Sequence, residues 1–455
     1  MDRIAGLPFG EVPFDADGDV DRDAARAAVS GLRGEGVTDV VVFAHGWNND
    51  TAAARRLYER FFGQFPALLA GRTRPGRTVG LLGVRWPSKR WSDEPEPDFD
   101  AGLLPALDRG GAAGVGDPPP TFAPPPWPSA ATAAVIREAF PDADPSAVDE
   151  LVELLRIRPP GEAGLQRAHD LVTGMLRGAP GPASADDGDG AGAFPAVAGS
   201  DRKAREVARS YLQELEQLGV TTSGHGGPAG LAEDIGRLWH GTQELARQAT
   251  YWQMRNRAGV VGERGLGPFL AELLAADMQV DLVGHSFGAR LVSYALRALD
   301  PPQQVRSVVL LQGAFSQFAF ADALPHDPGR SGALRGAQAR VAGPVIACHS
   351  RFDGALGTFY PLASLPAGQD AVMVESLRER WGAIGFDGHK PHPNRTPMLA
   401  PAAPYTFAAG TLTSIDAARV VRHGRPPSGA HSDIVHPELA WIVLCAAGLI
   451  ADGPT

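Results

Sequence analysis

Cysteine is scarce: the chain carries two in 455 residues, Cys348 and Cys445. Both stand in apolar runs, so buried free thiols are expected and a disulfide framework is not implied. Excess positive charge is lacking too. Lys and Arg total 42 against 52 Asp and Glu, a formal net charge of −10, which argues against a general nucleic-acid-binding surface. No uninterrupted apolar run reaches membrane-spanning length, and the opening MDRIAGLPFGEVPFDADGDVDRD has neither a basic nor an apolar targeting region. A cytoplasmic protein without a membrane span is the expectation. Glycine and proline are abundant, 55 and 40 residues, but they concentrate in segments that read as loops.

What is present alternates between strand and helix. Residues 37–44 (VTDVVVFA) form a near-continuous apolar run, the pattern of a central parallel strand buried on both faces. A helix over residues 51–69 and a strand over 78–84 follow, completing one right-handed crossover unit. From about residue 89 to 262 the rhythm breaks. Residues 118–128 are proline-rich, short helices are predicted near 130–140, 145–157 and 161–176, and residues 178–200 read as a flexible linker. Longer helices are predicted over 201–218 and 231–257. Alternation then resumes with strands at 280–283, 305–311, 344–348 and 417–422, and a closing helix from Pro437. The chain thus divides into a core of residues 1–90 and 263–455 and a mainly helical insertion of residues 91–262.

The most informative stretch is QVDLVGHSFGARLVSYALRAL, residues 279–299. It contains Gly284-His285-Ser286-Phe287-Gly288, a G-x-S-x-G pattern between a predicted strand and a predicted helix. Such a turn needs small residues two before and two after the serine, and it presents the hydroxyl at the N-terminus of a helix. The pattern alone arises by composition on the order of 0.3 times in such a chain, so its weight comes from its context and its partners. Asp353 and His431 each follow a predicted strand, giving the chain order serine, acid, histidine. His436 is the alternative base, although its place before Pro437 suits a helix cap better. His285 is read as packing around the turn. Upstream, His45-Gly46-Trp47 directly follows the first central strand.

These features resemble the α/β-hydrolase superfamily over Gly36–Arg90 and Leu266–Leu449. The resemblance implies an α/β fold, a mostly parallel sheet flanked by helices, with the insertion acting as a cap. It implies a lipase- or esterase-like serine hydrolase with Ser286 as nucleophile, His431 as base and Asp353 as its orienting acid. The backbone N–H groups of Trp47 and Phe287 would form the oxyanion hole, with His45, Gly46, Gly284 and Gly288 as motif support. No cofactor or metal is implied. The expected substrate is a small molecule with an apolar acyl or alcohol part and an ester or thioester bond. Acyl transfer on the same triad, or ligand or partner binding without catalysis, remain the alternatives.

Several other patterns carry less. Asp15, Asp17, Asp19, Asp21 and Asp23 alternate like a calcium loop, but Val20 and Arg26 stand where such a loop needs Gly and Glu; a capped turn is the simpler reading. His389 and His392 have metal-like spacing in what reads as an exposed loop. Residues 110–116 are glycine-rich without the strand and helix of a phosphate loop. Trp86, Trp91, Trp127, Trp239 and Trp252 read as packing aromatics, with a ligand-lining role as the alternative.

Overall fold

The computed structural model describes residues 1–47, 49–88, 99, 127–178, 203–217, 231–360, 379–391, 394–425 and 428–451. Trp91, His392, the glycine-rich residues 110–116, most of the proline-rich residues 118–128 and nearly all of the expected linker at 178–200 lie outside them.

A nine-stranded sheet organises the molecule. Its strands are β1 (Asp2–Ile4), β2 (Leu7–Pro13), β3 (Asp39–Ala44), β4 (Val79–Arg85), β5 (Gln279–His285), β6 (Ser307–Leu311), β7 (Val345–His349), β8 (Asn394–Thr396) and β9 (Leu412–Asp416). The spatial order is β1-β2-β4-β3-β5-β6-β7-β9-β8. Every neighbouring pair is parallel except the β1–β2 hairpin at one edge. This is an α/β fold with a mostly parallel sheet flanked by helices.

The central strands are apolar at nearly every position because both faces are covered. Side chains alternate between two cores. Val40, Val42 and Ala44 of β3 and Leu282 of β5 join one core, which also holds Ala28 and Leu32 of helix Arg22–Gly34 and Leu291 of helix Phe287–Ala295. Val41 and Phe43 of β3 and Val283 of β5 face the other, against Leu57 and Phe61 of helix Thr51–Phe62 and Ile442 of helix Pro437–Ala446.

The first core extends into the helices Ala130–Ala139, Pro145–Ile157, Glu162–Gly178, Ala204–Gln217 and Leu231–Val260. The last of these does not stop near Arg257 as its pattern predicts. It passes through a π-helical stretch, Val261–Leu266, into helix Gly267–Ala275. The expected boundary at residue 263 therefore falls inside continuous helical chain.

Several expectations about single elements are corrected. The strand placed at 417–422 lies earlier, at Leu412–Asp416. Residues from Ala417 turn instead, with Asp416 Oδ1 accepting from Ala418 N and Val420 and Val421 N both donating to Ala417 O. The helix expected over 51–69 is two helices, Thr51–Phe62 and Phe65–Leu69, parted just before Pro66. The aspartate-rich turn is organised by backbone groups: Asp15 Oδ1 accepts from the N–H of Asp17 and Asp19, and Asp21 caps helix Arg22–Gly34. His389 is not exposed; it is buried, its N–H bonded to Ser414 Oγ of β9 and its ring edge-on to Phe320. No helix among the described residues is long and apolar enough to cross a membrane.

Candidate active site

The chain leaves β3 and β5 at the point where the strand order reverses, β4 lying to one side and β6 to the other. In open α/β sheets the crevice beyond the carboxyl ends of such strands is the usual ligand position. Two loops meet there.

The first is the turn from β5 into helix Phe287–Ala295. Ser286 has φ 56° and ψ −122° and forms the helix N-cap without using its side chain as a cap. The flanking glycines are required by contact. A Cβ at Gly284 would lie 2.4 Å from Gly288 O, and one at Gly288 would lie 2.0 Å from Ala44 O. Phe287 is the first helical residue, where an N–H has no acceptor within the helix.

The second loop follows β3. A Cβ on Gly46 would lie 2.7 Å from Ser286 Cβ, so this residue lets the two loops touch. Asn49 Nδ2 donates to Gly46 O (3.1 Å) and Trp47 O (3.0 Å), while Trp86 Nε1 donates to His45 O (2.9 Å). His45 stacks on Trp86 and has its Nδ1 2.9 Å from Gly46 O. Burial pushes the His45 imidazole down to about 4.

The remaining partners arrive from the far side. His431 Nε2 is 2.9 Å from Ser286 Oγ, and His431 Nδ1 is 2.7 Å from Asp353 Oδ2. Asp353 is fully buried and its other oxygen accepts from Leu356 N at 2.9 Å. The bridge between Asp353 and Gly429, with the bond from Ala430 N to Phe352 O, ties the histidine loop to the aspartate loop. Ser286, Asp353 and His431, far apart in sequence, thus form one hydrogen-bonded chain. His436 is not part of it. It stands at the N-cap of helix Pro437–Ala446, and its Nε2 lies 2.7 Å from Asp433 Oδ1.

Two residues matter more than their sequence suggests. His285 is more than packing: its Nε2 lies 2.8 Å from His431 O, and its ring sits 5.0 Å from the His431 ring. Burial pushes its imidazole down to about 3, so the ring is neutral and donates through Nε2–H, fixing the backbone of His431. Tyr251, from helix Leu231–Val260, packs on Phe287 (4.7 Å between ring centroids) and on Trp47 (5.5 Å). Nothing in the local sequence marks Tyr251, because its partners come from distant loops. The tryptophans pack instead: Trp239 and Trp252 are buried, Trp127 stacks on His240, and Trp86 holds the His45 carbonyl.

No protein-family model, curated protein or solved structure matches this chain.

Proposed function

We propose that the chain is a serine hydrolase of the α/β-hydrolase kind, cleaving a carboxylic ester or thioester through an acyl-enzyme on Ser286. One observation carries the reading: the unbroken chain from Ser286 Oγ through His431 to buried Asp353, at 2.9 and 2.7 Å, on a turn with a positive-φ serine.

The chemistry follows from those contacts. A serine hydroxyl is a weak nucleophile and needs a base within hydrogen-bond reach. Asp353 accepts from Nδ1–H of His431, which leaves Nε2 bare and aimed at Ser286 Oγ. His431 takes the hydroxyl proton as Oγ attacks the acyl carbon, then returns it to the leaving alcohol or thiol. Water, deprotonated by the same nitrogen, then cleaves the acyl-enzyme. The oxyanion of each tetrahedral intermediate would be held by the backbone N–H groups of Trp47 and Phe287. The rings of Trp47 and Phe287, next in sequence to Gly46 and Ser286, and of Tyr251 packed on both favour a substrate with an apolar acyl or alcohol part, and helix Leu231–Val260 would serve as one wall of a cap.

The test is labelling of the folded chain with a fluorophosphonate, followed by mass mapping of the modified peptide. Labelling at Ser286 that disappears in Ser286→Ala and His431→Ala but persists in His436→Ala is the expected result. Asp353→Asn should lower turnover by about 10⁴-fold, as for other triads whose histidine is left in the wrong tautomer. A folded wild-type chain that takes no label would sink the reading.

A further inference from the structure

His431 lies on a loop whose two ends meet at a second cluster. His423 Nδ1 is 3.1 Å from Asp433 Oδ2, and His436 Nε2 is 2.7 Å from Asp433 Oδ1. The three possible ligand atoms all lie within 4.8 Å of one another. From this geometry we propose that His423, Asp433 and His436 form a divalent transition-metal site, with Zn²⁺ as the first candidate. The ion would pin the loop that carries His431.

Three features point to an ion. The donor set, two imidazoles and one carboxylate, suits Zn²⁺ with water in the fourth position. Tetrahedral bonds of about 2.0–2.1 Å place donors about 3.3 Å apart; His423 now faces Oδ2 and His436 faces Oδ1, so an ion on one oxygen would draw the other histidine toward it. The two rings are 6.4 Å apart between centroids and tilted by 33°, so a small closing movement brings both to one ion.

The carboxylate supplies the second argument. Asp433 is 3% exposed. Its Oδ2 accepts from the N–H of Arg422 (2.8 Å) and His423 (2.7 Å), which fixes its plane. Among the described residues its ion-pair partners are the two histidines, and no Lys or Arg head group pairs with it. Two backbone N–H groups and two histidines surround this carboxylate, and a bound dication would take the place of the histidine protons as its charge partner. On binding, each ring coordinates through the nitrogen that now faces Asp433, and its proton moves to the other ring nitrogen. Backbone bonds to the carboxylate then act as the outer support that metal ligands ordinarily have.

The loop between the ligands is otherwise held at His431 O by His285 and at Gly429 and Ala430 by the Phe352–Asp353 segment. The metal would be a further anchor. The consequence for catalysis rests on the serine hydrolase reading; the existence of the site does not.

The experiment takes the full chain, strips it with a chelator, dialyses it against micromolar Zn²⁺ and counts bound metal by mass spectrometry. One equivalent per chain is expected, with Co²⁺ in its place giving the visible absorption of a tetrahedral site. His423→Gln and His436→Gln should each weaken Zn²⁺ by more than about 100-fold, beyond what losing an outer-shell partner costs. Ser286→Ala should bind one equivalent like the wild type, which separates this outcome from the fate of the hydrolase reading. No retained equivalent in folded wild type, or retention unchanged in folded His423→Gln/His436→Gln, overturns the site. Should the double variant not fold, the wild-type metal count and the Co²⁺ spectrum decide on their own. In the metal-bound chain fluorophosphonate labelling should be faster than in the stripped chain; equal rates would overturn the anchoring role.

Discussion

Ser286 keeps its backbone at φ 56° and ψ −122°, a conformation that costs a residue with a β-carbon about 1–3 kcal/mol. The surroundings hold it there: Ser286 N donates to Leu311 O, and Ser286 O accepts from Ala289 N and Ala314 N. Glycine adopts such angles freely but loses more entropy on folding, by about 0.4–1 kcal/mol. Both Ser286→Gly and Ser286→Ala should be inactive, and the glycine variant should be the more stable by about 1 kcal/mol. Paired urea titrations measure this, and an equal or lower midpoint for glycine would show that the turn is not strained. Neutral histidines set a second residue-scale property. Burial pushes His45 down to about 4 and His285 and His389 to about 3, whereas an unfolded imidazole titrates near 6.5. Between those values the unfolded chain binds more protons, so stability is lost as pH falls below about 6.5. Each of the three gives up about 2 kcal/mol by pH 5. His389 lies far from the triad in sequence and its ring is buried against Phe320. His389→Leu should therefore flatten the fall in melting temperature from pH 7.5 to 5. A slope equal to wild type would exclude His389 as a contributor.

At the scale of elements, what the sequence reveals depends on where the contacts come from. Strands β3, β4, β5, β6 and β7 are legible because burial on both faces makes them apolar throughout. The β1–β2 hairpin is not, since Pro8, Gly10 and Pro13 interrupt LPFGEVP and its strand character comes from pairing with β4. β9 is masked in a similar way: the more apolar residues after Asp416 attract the strand assignment although they form a turn. The glycines at 259, 262, 265 and 267 look like a helix end. They are instead points of close packing, and a Cβ at Gly262 would lie 2.2 Å from Leu291 O. The triad candidates were legible because each follows a strand in a recognisable order, and the structure brings all three together. Tyr251 was not, since only the folded helix carries it to Phe287 and Trp47. That placement has a consequence. Each aromatic pair contributes about 0.5–1.5 kcal/mol beyond its buried area, so Tyr251→Ala should lower kcat/KM for an apolar ester by about tenfold, and Tyr251→Phe should restore most of it. Equal loss in both variants would assign the effect to the hydroxyl instead of the ring.

Across the whole molecule, the two ends of the sheet carry different burdens. Beyond the carboxyl ends stands the triad; near the amino ends of β3, β5 and β6 lies a buried ionic network. Arg306 pairs with Asp39 and with Asp281, Ser307 Oγ donates to Asp281 Oδ1 at 2.7 Å, and both carboxylates are fully buried. Arg77 also reaches Asp39, at 3.2 Å, so loss of Arg306 bears hardest on Asp281. Removing one partner of a buried ion pair typically costs about 3–5 kcal/mol, because the charge left behind is uncompensated. Arg306→Met should be destabilised by that amount. Burial already raises the Asp281 carboxyl above its ordinary value, against the opposing pull of Arg306, and loss of the guanidinium raises it further. A carboxyl with a raised folded pKa binds its proton more readily in the native state, so the variant gains stability relative to wild type as pH falls through that pKa. The gap in melting temperature between wild type and Arg306→Met should accordingly narrow from pH 8 to pH 5.5. Asp281 is about 16 Å along the strand from Ser286 at about 3.3 Å per residue, so the fluorophosphonate labelling rate of the folded variant should match wild type. A gap that does not change with pH would mean that Asp281 stays ionised without its cation, and a slowed label would mean that the two ends of the sheet are coupled.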